Sequence, residues 1–260
     1  MAQVTFIIPS FNTQQLTLDC LASIYKYETD CKVIVVDNSS QDDSVASIRQ
    51  KFPHTQVIAC DQNLGFAKAN NLAIDQSQSE FIILLNSDTE LFTPISNSLT
   101  SHFTNSQVGA TVPKLLNPDR TIQASVFPLP TLTGAIKEYW LHQPFTFAKY
   151  APSVATATPV EAAVMACMCI PRSVFQKIGK LNSDYFMYFE DLEFCRRLKQ
   201  NNYQIIYDPR TEIIHHHGAS SQPNPHAWKR LIPGSKRYHG TITHYLINFV
   251  LRTSQLISKF

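Results

Sequence analysis

Several kinds of segment are missing from this sequence of 260 residues. It has no run of 18 apolar residues, so no segment is predicted to span a membrane. The first ten residues lack a basic stretch and a small-residue cleavage site and lead directly into an apolar run, so we expect a cytoplasmic protein. The six cysteines show no CxxC spacing, which favours buried free thiols over a disulfide framework or a zinc knuckle.

Acidic residues are also missing from the end of the chain. After Glu212 there are six basic residues and no acid, which gives the last 48 residues a net charge of +6, while residues 1–212 carry −4. A basic segment of this kind can contact the phosphates of a nucleotide, of an anionic lipid surface or of nucleic acid. The alternative is a solvated basic face without a partner.

Apolar runs and helical patterns alternate over the first 90 residues. Strands are predicted at residues 4–8, 32–36, 56–59 and 81–85, and helices at residues 14–25, 42–52 and 66–75. Such alternation predicts an α/β fold with a Rossmann-like, mostly parallel central sheet and helices on both faces.

The second half of the chain is less regular. Residues 113–159 contain seven prolines and are predicted to form loops and short elements that could act as a lid. Beyond them we predict a buried strand at residues 160–170, helices at 172–178 and 191–200, and two strands at 203–207 and 212–216.

Polar clusters follow three of the predicted strands. Parallel strands end at the same edge of a sheet, where ligands of open α/β sheets bind. A carboxylate after the second strand suits a ribose hydroxyl or a base imide, and one after the fourth suits a divalent cation. Each cluster taken alone also fits a turn that ends a strand. The residues concerned are Pro9, Ser10, Asn12, Asp37, Asn86, Ser87 and Asp88.

The turn at residues 63–67 leads into a predicted helix and offers further binding groups. Asn63, Gly65 and Asn70 supply amides and a small residue where the backbone could approach a ligand. A single glycine is equally consistent with an ordinary turn.

An aromatic run at residues 185–189 ends in Glu190 and Asp191. Adjacent carboxylates in an apolar environment repel each other and are desolvated, which raises at least one pKa and suits a general base. The same acids also fit the first turn of a helix, where the helix dipole favours negative charge. Both interpretations can hold together.

Three histidines, His215, His216 and His217, end the last predicted strand. Side chains alternate along a strand, so at most two of them share a site. One histidine binding a metal together with Asp88 is one interpretation, and a surface histidine without a role is the other. A zinc hydrolase is a third hypothesis, but the HExxH spacing is absent.

In order and spacing, these segments resemble the inverting, metal-dependent glycosyltransferases of family 2, which have the GT-A fold. The similarity covers about four fifths of the chain and is nearest to bacterial rhamnosyltransferase-like enzymes. The matching segments are VTFIIPSFN (4–12), VIVVDNSSQDDS (33–44), NLGFAKANN (63–71), FIILLNSDTEL (81–91), YFMYFEDLEFCRRLK (185–199) and IIYDPRTEIIHHHGASS (205–221).

The resemblance implies a dTDP- or UDP-sugar donor and a divalent cation, Mn²⁺ or Mg²⁺. It places residues 86–88 at the family's DxD metal motif, with Asn86 replacing the first acid. Asp88 would then be the main metal ligand, with His215 as a second ligand and His217 as a weaker choice. Asp191 corresponds to the catalytic base, with Glu190 beside it. Residues 161–163, Glu-Ala-Ala, depart from relatives that often have a glycine near the acceptor.

We therefore predict that the protein transfers a sugar such as rhamnose to a polysaccharide or lipid-linked glycan. Residues 1–110 would bind the nucleotide-sugar, residues 111–225 the acceptor, and residues 226–260 would form a basic tail. The tail would contact the inner face of the plasma membrane peripherally, and nucleic acid is not an expected partner. A catalytically silent nucleotide- or glycan-binding domain of the same fold is the alternative.

Overall fold

The computed structural model describes residues 3–216, 218 and 227–257, so His217 lies outside the described residues. Its strands are β1 (Val4–Ser10), β2 (Cys31–Asp37), β3 (Gln56–Ala59), β4 (Phe81–Leu85), β5 (Thr89–Glu90), β6 (Val108–Leu116), β7 (Val126–Phe127), β8 (Thr158–Val160), β9 (Ala162–Ala163), β10 (Cys167–Pro171) and β11 (Gln204–His215). Its helices are α1 (Gln14–Tyr27), α2 (Ser44–Lys51), α3 (Gly65–Gln76), α4 (Ser96–Thr100), α5 (Leu132–Tyr139), α6 (Arg172–Ile178), α7 (Glu190–Gln200), α8 (Leu231–His239) and α9 (Thr241–Ile257).

Nine strands form one mixed sheet in the order β3-β2-β1-β4-β10-β6-β11-β5, with β8 on the outer side of β11. Strands β3, β2, β1 and β4 are mutually parallel, and β6 is parallel to β11. Because β10 is antiparallel to both β4 and β6, the two parallel groups run in the same direction. The predicted mostly parallel sheet is confirmed, and both halves of the chain contribute to it.

The sheet has a hydrophobic core on each face because side chains alternate along its strands. In β4, Ile82 and Leu84 face one core, while Ile83 and Leu85 face the other. Helices α3, α6 and α7 cover the first face, and α1, α2 and α4 cover the second. This arrangement brings the carboxyl ends of the parallel strands together at one shared edge.

The structure corrects the prediction of loops after residue 112 and of two separate strands at residues 203–216. Strand β6 has nine residues and includes Pro113, and β11 is one strand with a bulge between Asp208 and Glu212. Pro113 pairs with Asp208, at the edge of the bulge. Pro113 has no N–H to donate, and the bulge of β11 interrupts the hydrogen-bond ladder at the same position. Both strands therefore continue past it.

The predicted single strand at residues 160–170 is wrong. Three short strands, β8, β9 and β10, occupy this region, with a turn at Met165 and Ala166. The turn residues are apolar and buried, so the composition gave no sign of a break. Strand β9 pairs with β7 in a separate two-stranded sheet, whereas β10 enters the centre of the main sheet.

The last part of the described chain is helical. Helix α9 packs Ile247 and Val250 against Ala135 of α5 and forms a third, smaller apolar cluster. In the portion of the chain that the structure describes, no helix combines the length and apolar character needed to cross a bilayer.

Candidate active site

Asp88 and His215 meet at the carboxyl edge of the sheet. His215 is the last residue of β11 and pairs in register with Thr89 of β5, which directly follows Asp88. The Nε2 atom of His215 lies 3.3 Å from Oδ1 of Asp88, and the backbone N–H of His216 donates to the Asp88 carbonyl at 2.8 Å. Both side chains are buried. The sheet therefore brings together the acid and the histidine that the sequence suggested as a pair.

Gln123 fixes the orientation of the His215 ring. Its side-chain NH₂ group donates to the carbonyl of His215 at 3.2 Å and to Oδ1 of Asn117 at 2.9 Å, so its Oε1 faces Nδ1 of His215 at 2.7 Å. Because an amide oxygen only accepts, Nδ1 donates to it, and Nε2 faces Asp88 and Asn86. Metal-binding histidines are commonly held in this way.

The donor set at Asp88 and His215 fits a divalent cation bound jointly with a ligand. Across residues 3–216, 218 and 227–257, no three histidine, cysteine, aspartate or glutamate side chains converge on one position. Mg²⁺ is usually held by one or two carboxylates plus substrate phosphates, and imidazole adds affinity for transition metals. One carboxylate and one imidazole thus suit a metal whose remaining ligands come from a diphosphate.

Ser10 and Ser87 are turned inward at the same edge. The hydroxyl of Ser10 lies 3.0 Å from that of Thr13 and 2.9 Å from that of Thr17, and the hydroxyl of Ser87 lies 3.2 Å from that of Thr13. All four side chains are buried. This network ties the ends of β1 and β4 to the start of α1, while Pro9 lies half-buried in β1.

Asn12 and Asp37 connect the ends of β1 and β2. Asn12 has φ 53, accepts a hydrogen bond from the backbone of Gln41 at 2.7 Å, and donates its own N–H to Ser40 at 2.9 Å. Asp37 is 2% exposed and accepts from the Ser40 backbone through Oδ2 at 2.9 Å. Its Oδ1 has no hydrogen-bond partner among the described residues. A buried, unpaired carboxylate oxygen at this edge can accept a hydrogen bond from a ligand.

Gly65 allows a close approach between α3 and the aromatic run. Its φ is +77, and a Cβ atom there would lie 2.3 Å from the carbonyl oxygen of Phe186. That carbonyl accepts a hydrogen bond from the backbone of Phe66 at 2.8 Å. Asn63 accepts from the Gly65 backbone at 2.9 Å, and buried Asn70 donates to the carbonyl of Phe66 at 2.9 Å. The glycine therefore joins the two halves of the site.

A cavity of about 800 Å³ opens beside these residues. Phe11 and Asn63 line it from the sheet edge, and exposed Phe186 lines it from the aromatic run. Its lining also includes Arg230, directly before α8, and Arg237 of α8, which pairs with Asp184 at 2.7 Å. The excess of basic residues after Glu212 includes these two arginines, but no local sequence pattern predicted that they line this cavity.

Glu190 and Asp191 begin α7 after a strained turn. Tyr188 and Phe189 both have φ 71, a left-handed conformation that costs roughly 1–3 kcal/mol per residue without glycine. Gly234 of α8 packs on this turn, since a Cβ atom there would lie 2.7 Å from the Tyr188 carbonyl. Both acids therefore lie in the first turn of α7, where the sequence predicted them.

The electrostatic surroundings of the two acids differ. Burial raises the pKa of Glu190, and the charge of Asp191 raises it further; its Oε2 has no hydrogen-bond partner among the described residues. Burial also raises the pKa of Asp191, whereas the backbone N–H of Leu192, at 2.8 Å, and the charge of Lys149 lower it. Burial thus disfavours the charged form of both acids, and a nearby cation, Lys149, favours the charged form of Asp191. Lys149 was not predicted from the sequence.

Comparisons with known proteins identify the family. Residues 5–117 match the family described as Glycosyl transferase family 2. The low-salt glycan biosynthesis hexosyltransferase Agl10 of Haloferax volcanii is 30% identical over 233 residues, which cover 78% of this chain and 69% of that protein. The N-acetylglucosaminyl-diphospho-decaprenol L-rhamnosyltransferase of Mycobacterium tuberculosis is 25% identical over 219 residues, covering 76% and 70%.

Solved structures agree on the fold. The mannosyltransferase PcManGT of Pyrobaculum calidifontis, in complex with GDP-Man and Mn²⁺, superposes with a TM-score of 0.63 at 16% identity and covers 98% of this chain and 73% of that one. GalNAc-T7 with UDP, GalNAc and Mn²⁺ gives a TM-score of 0.64 at 12% identity; the match covers 83% of this chain and 44% of that chain. With the sequence relatives, these matches show that the chain belongs to glycosyltransferase family 2 and has the GT-A fold.

Proposed function

We propose that the protein is a metal-dependent, inverting glycosyltransferase. It transfers a sugar, with rhamnose a candidate, from a nucleoside-diphosphate donor to a hydroxyl of a growing polysaccharide or lipid-linked glycan. The observation that carries this proposal is the pairing of Asp88 with His215 at the carboxyl edge, with the ring of His215 held by Gln123. The relatives named as hexosyltransferase and rhamnosyltransferase support the reaction class.

The donor would bind across the ends of β1, β2 and β4. The unpaired Oδ1 of Asp37 is available to the base or ribose of a dTDP- or UDP-sugar. Asn12 and Asn63 shape the turns on either side of that position. Arg230, which lines the same cavity, would place positive charge near the donor phosphates, whereas Arg237 is paired with Asp184.

Asp88 and His215 would hold Mn²⁺ or Mg²⁺, with oxygens of the donor diphosphate completing the coordination. When bound, the cation neutralises the charge that develops on the departing nucleoside diphosphate. Asn86 lies beside this pair with its amide nitrogen 3.4 Å from Nε2 of His215, so Asp88 is the carboxylate of the motif. Two similar solved structures contain Mn²⁺, which supports this assignment.

Asp191 would act as the catalytic base. The backbone N–H of Leu192 and the charge of Lys149 favour the carboxylate form of Asp191, whereas Oε2 of Glu190 has no hydrogen-bond partner among the described residues. It would take the proton of the acceptor hydroxyl as that oxygen attacks the anomeric carbon from the side opposite the diphosphate. The protein would work at the inner face of the plasma membrane, with its basic carboxyl-terminal residues in peripheral contact.

The test is a thermal-shift panel of UDP, dTDP, GDP, CDP and their sugars, each with and without Mn²⁺. A nucleotide at a hundredfold excess over its dissociation constant stabilises the folded protein by roughly 3 kcal/mol. We expect a manganese-dependent shift with one nucleotide, and release of that nucleoside diphosphate when acceptor is present. A manganese-dependent shift without any turnover would support the catalytically silent binding domain instead.

Neighbouring histidines provide a matched control. We expect Asp88→Asn and His215→Gln to lose the manganese-dependent shift. His216→Gln should keep it, because Nε2 of His216 pairs with Glu90 at 2.7 Å rather than with Asp88. Equal loss in the His215 and His216 variants would contradict the proposed metal site.

A further inference from the structure

A second cavity, of about 820 Å³, lies on the flank of α7 between α5 and α8. Its charged lining comprises Lys137, Arg196, Lys199 and Glu161, so cations outnumber acids. Lys199 pairs with Glu161 at 2.6 Å. Lys137 and Arg196 form no ion pair with the described residues, so their two positive charges are uncompensated. The cavity can therefore accept a ligand with two negative charges.

Arg196 is held in place with donors to spare. Its guanidinium carbon lies 4.1 Å from the centre of the Tyr238 ring, and its Nη1 donates to the Tyr238 carbonyl at 3.1 Å. A guanidinium has five N–H donors in a fixed plane and binds phosphate oxygens in pairs. Stacking on Tyr238 orients this plane without using most of those donors.

The cavity lies close to the proposed base. Arg196 follows Asp191 by five residues on α7, a rise of about 7.5 Å and a rotation of about 140° around the helix axis. Tyr238 links the two positions, because its ring contacts Arg196 and the charge of Asp191 acts on its hydroxyl. Lys149, whose charge acts on Asp191, directly precedes Tyr150 in the cavity wall. A phosphate group at Arg196 would thus lie near the sugar whose hydroxyl reaches Asp191.

An exposed apolar stripe on α9 begins at the same cavity. Ile242, Tyr245, Leu246 and Phe249 are 77%, 58%, 46% and 58% exposed at the i, i+3, i+4, i+7 spacing of one helix face. Thr243, next to the first of them, lines the cavity. Helix α9 already buries a different stripe against α5, whereas this one keeps about half or more of each side chain exposed.

Trp140 extends the stripe onto the end of α5. Its ring meets that of Phe249 edge-on at 6.3 Å between centroids, and its indole N–H donates to Thr253 at 3.1 Å. Tryptophan with one apolar and one polar end is typical of the bilayer interface. Residues 213–260 contain no acid, so a second copy would bring like charge to this surface, whereas an anionic bilayer is complementary to it.

We propose that the acceptor is a lipid-linked sugar diphosphate, whose diphosphate binds Lys137 and Arg196 in the second cavity. The α9 stripe and Trp140 lie in the surface of the anionic bilayer that carries the lipid. This inference rests on the proposed glycosyl transfer and names the class of its acceptor. In this arrangement the proposed base faces the acceptor hydroxyl, the two cations bind the diphosphate, and the apolar stripe contacts the lipid.

The first test uses farnesyl diphosphate as the probe, titrated calorimetrically in EDTA, which removes any metal-dependent binding at the donor site. We expect it to bind more tightly than farnesol. The variant Lys137→Gln/Arg196→Gln should weaken its binding at least roughly tenfold through the loss of charge-assisted hydrogen bonds. Lys51→Gln, an exposed lysine on α2, should bind as the unaltered protein does.

Two results would overturn the assignment: equal affinity for farnesyl diphosphate and farnesol, or unchanged affinity in the double variant. Retention of the manganese-dependent nucleotide shift shows that the double variant is folded, and Lys137→Gln alone replaces it if that shift is lost. The probe needs neither donor nor turnover, so this result is read separately from the nucleotide panel that tests the proposed function.

The second test is flotation with vesicles of phosphatidylcholine, with and without phosphatidylglycerol. We expect binding to the anionic vesicles, and its loss in Ile242→Ser/Phe249→Ser but not in Val154→Ser, which changes a single exposed valine. Gel filtration of the same proteins gives the opposing result. If the unaltered protein is a dimer, the double variant is a monomer and vesicle binding is unchanged, the stripe is a self-association surface and the proposal is refuted.

Discussion

Asp208 and the pair of Glu190 and Asp191 are buried acids in the same half of the chain, but their surroundings differ. The carboxylate of Asp208 is fully paired: His102 lies 2.8 Å away, and the side chain of Arg210 donates to both oxygens at 2.9 Å. Burial alone would raise the pKa of Asp208, but hydrogen bonds from Arg210 and His102 lower it to about 2. In Glu190 the second oxygen has no such partner, and burial raises the pKa.

The comparison separates an acid whose charge stabilises the fold from the two acids that we propose for catalysis. Asp208 joins the chain at His102 to the bulge of β11, so its charge contributes to stability. Glu190 and Asp191 follow a strained turn and gain little from being charged, which is typical of groups whose partner is a substrate. Replacing each acid by its amide should therefore have opposite consequences for activity and stability.

The largest expected effect is on transfer in Asp191→Asn. Loss of a general base should lower kcat by roughly 10²–10⁴-fold, measured as nucleoside diphosphate released with acceptor present. Donor binding should be nearly unchanged, because the base acts on the acceptor. Loss of the nucleotide thermal shift with turnover retained would mean that Asp191 belongs to the donor site.

Asp208→Asn makes the same chemical change in the paired acid. Removing the charged acceptor from four hydrogen bonds, one from His102 and three from Arg210, should cost about 2 kcal/mol, which lowers the Tm by roughly 4–8 °C in a chain of this size. The Asp191→Asn protein should keep or raise its Tm in the same calorimetric experiment. The comparison breaks down if the two amides destabilise the protein equally.

Glu190→Gln tests the cost of burying an acid without a partner. A carboxyl whose pKa is raised by folding loses stability as the pH rises from its ordinary pKa through the raised one. The variant should therefore have the higher Tm at pH 9, by about 2–4 °C per kcal/mol of relieved strain, and little advantage at pH 5. Glu193→Gln is the matched control.

Glu193 accepts a hydrogen bond from Nε of Arg197 at 2.8 Å, so its amide should lower the Tm instead. An advantage of Glu190→Gln that grows towards pH 5 would have the wrong sign for a raised pKa. Such a result would place Glu190 with Asp208, among the acids that stabilise the fold.

The carboxyl edge of the first four strands could be predicted because its evidence is local. Apolar runs predict these strands, and the polar clusters that follow three of them predict the edge they share. The same logic placed Asp37 and Asp88 at that edge. Glu190 and Asp191 were found in the same way, from an aromatic run that stops at two acids.

The parts that were missed depend on contacts between distant segments. Gln123 meets His215 only after β6 and β11 pair, and no local pattern identifies it. The strand through Pro113 requires a bulge on its neighbour. Helix α9 is apolar on two stripes, so its sequence alone does not show which one packs on α5.

The smallest expected effect concerns Lys149, which makes the acid pair less unlike Asp208. Its positive charge lowers the pKa of Asp191, while burial lowers its own pKa and Asp191 raises it. Lys149→Gln should therefore raise the pKa of Asp191. The acidic limb of the kcat profile should move to higher pH, so that activity falls at pH 6 while the plateau above pH 8 is unchanged.

Lys32 is an exposed lysine at the amino-terminal end of β2, opposite the carboxyl edge of the sheet. Lys32→Gln should therefore leave the pH profile of kcat unchanged. A shift of the acidic limb to lower pH would mean that Lys149 does not stabilise the charged form of Asp191. A loss confined to the plateau would instead assign Lys149 to acceptor binding. If the expected shift is observed, half-buried Lys149 lowers the pKa of Asp191, as Arg210 and His102 lower that of Asp208, but by less. The Asp191 carboxylate then remains basic enough to accept a proton.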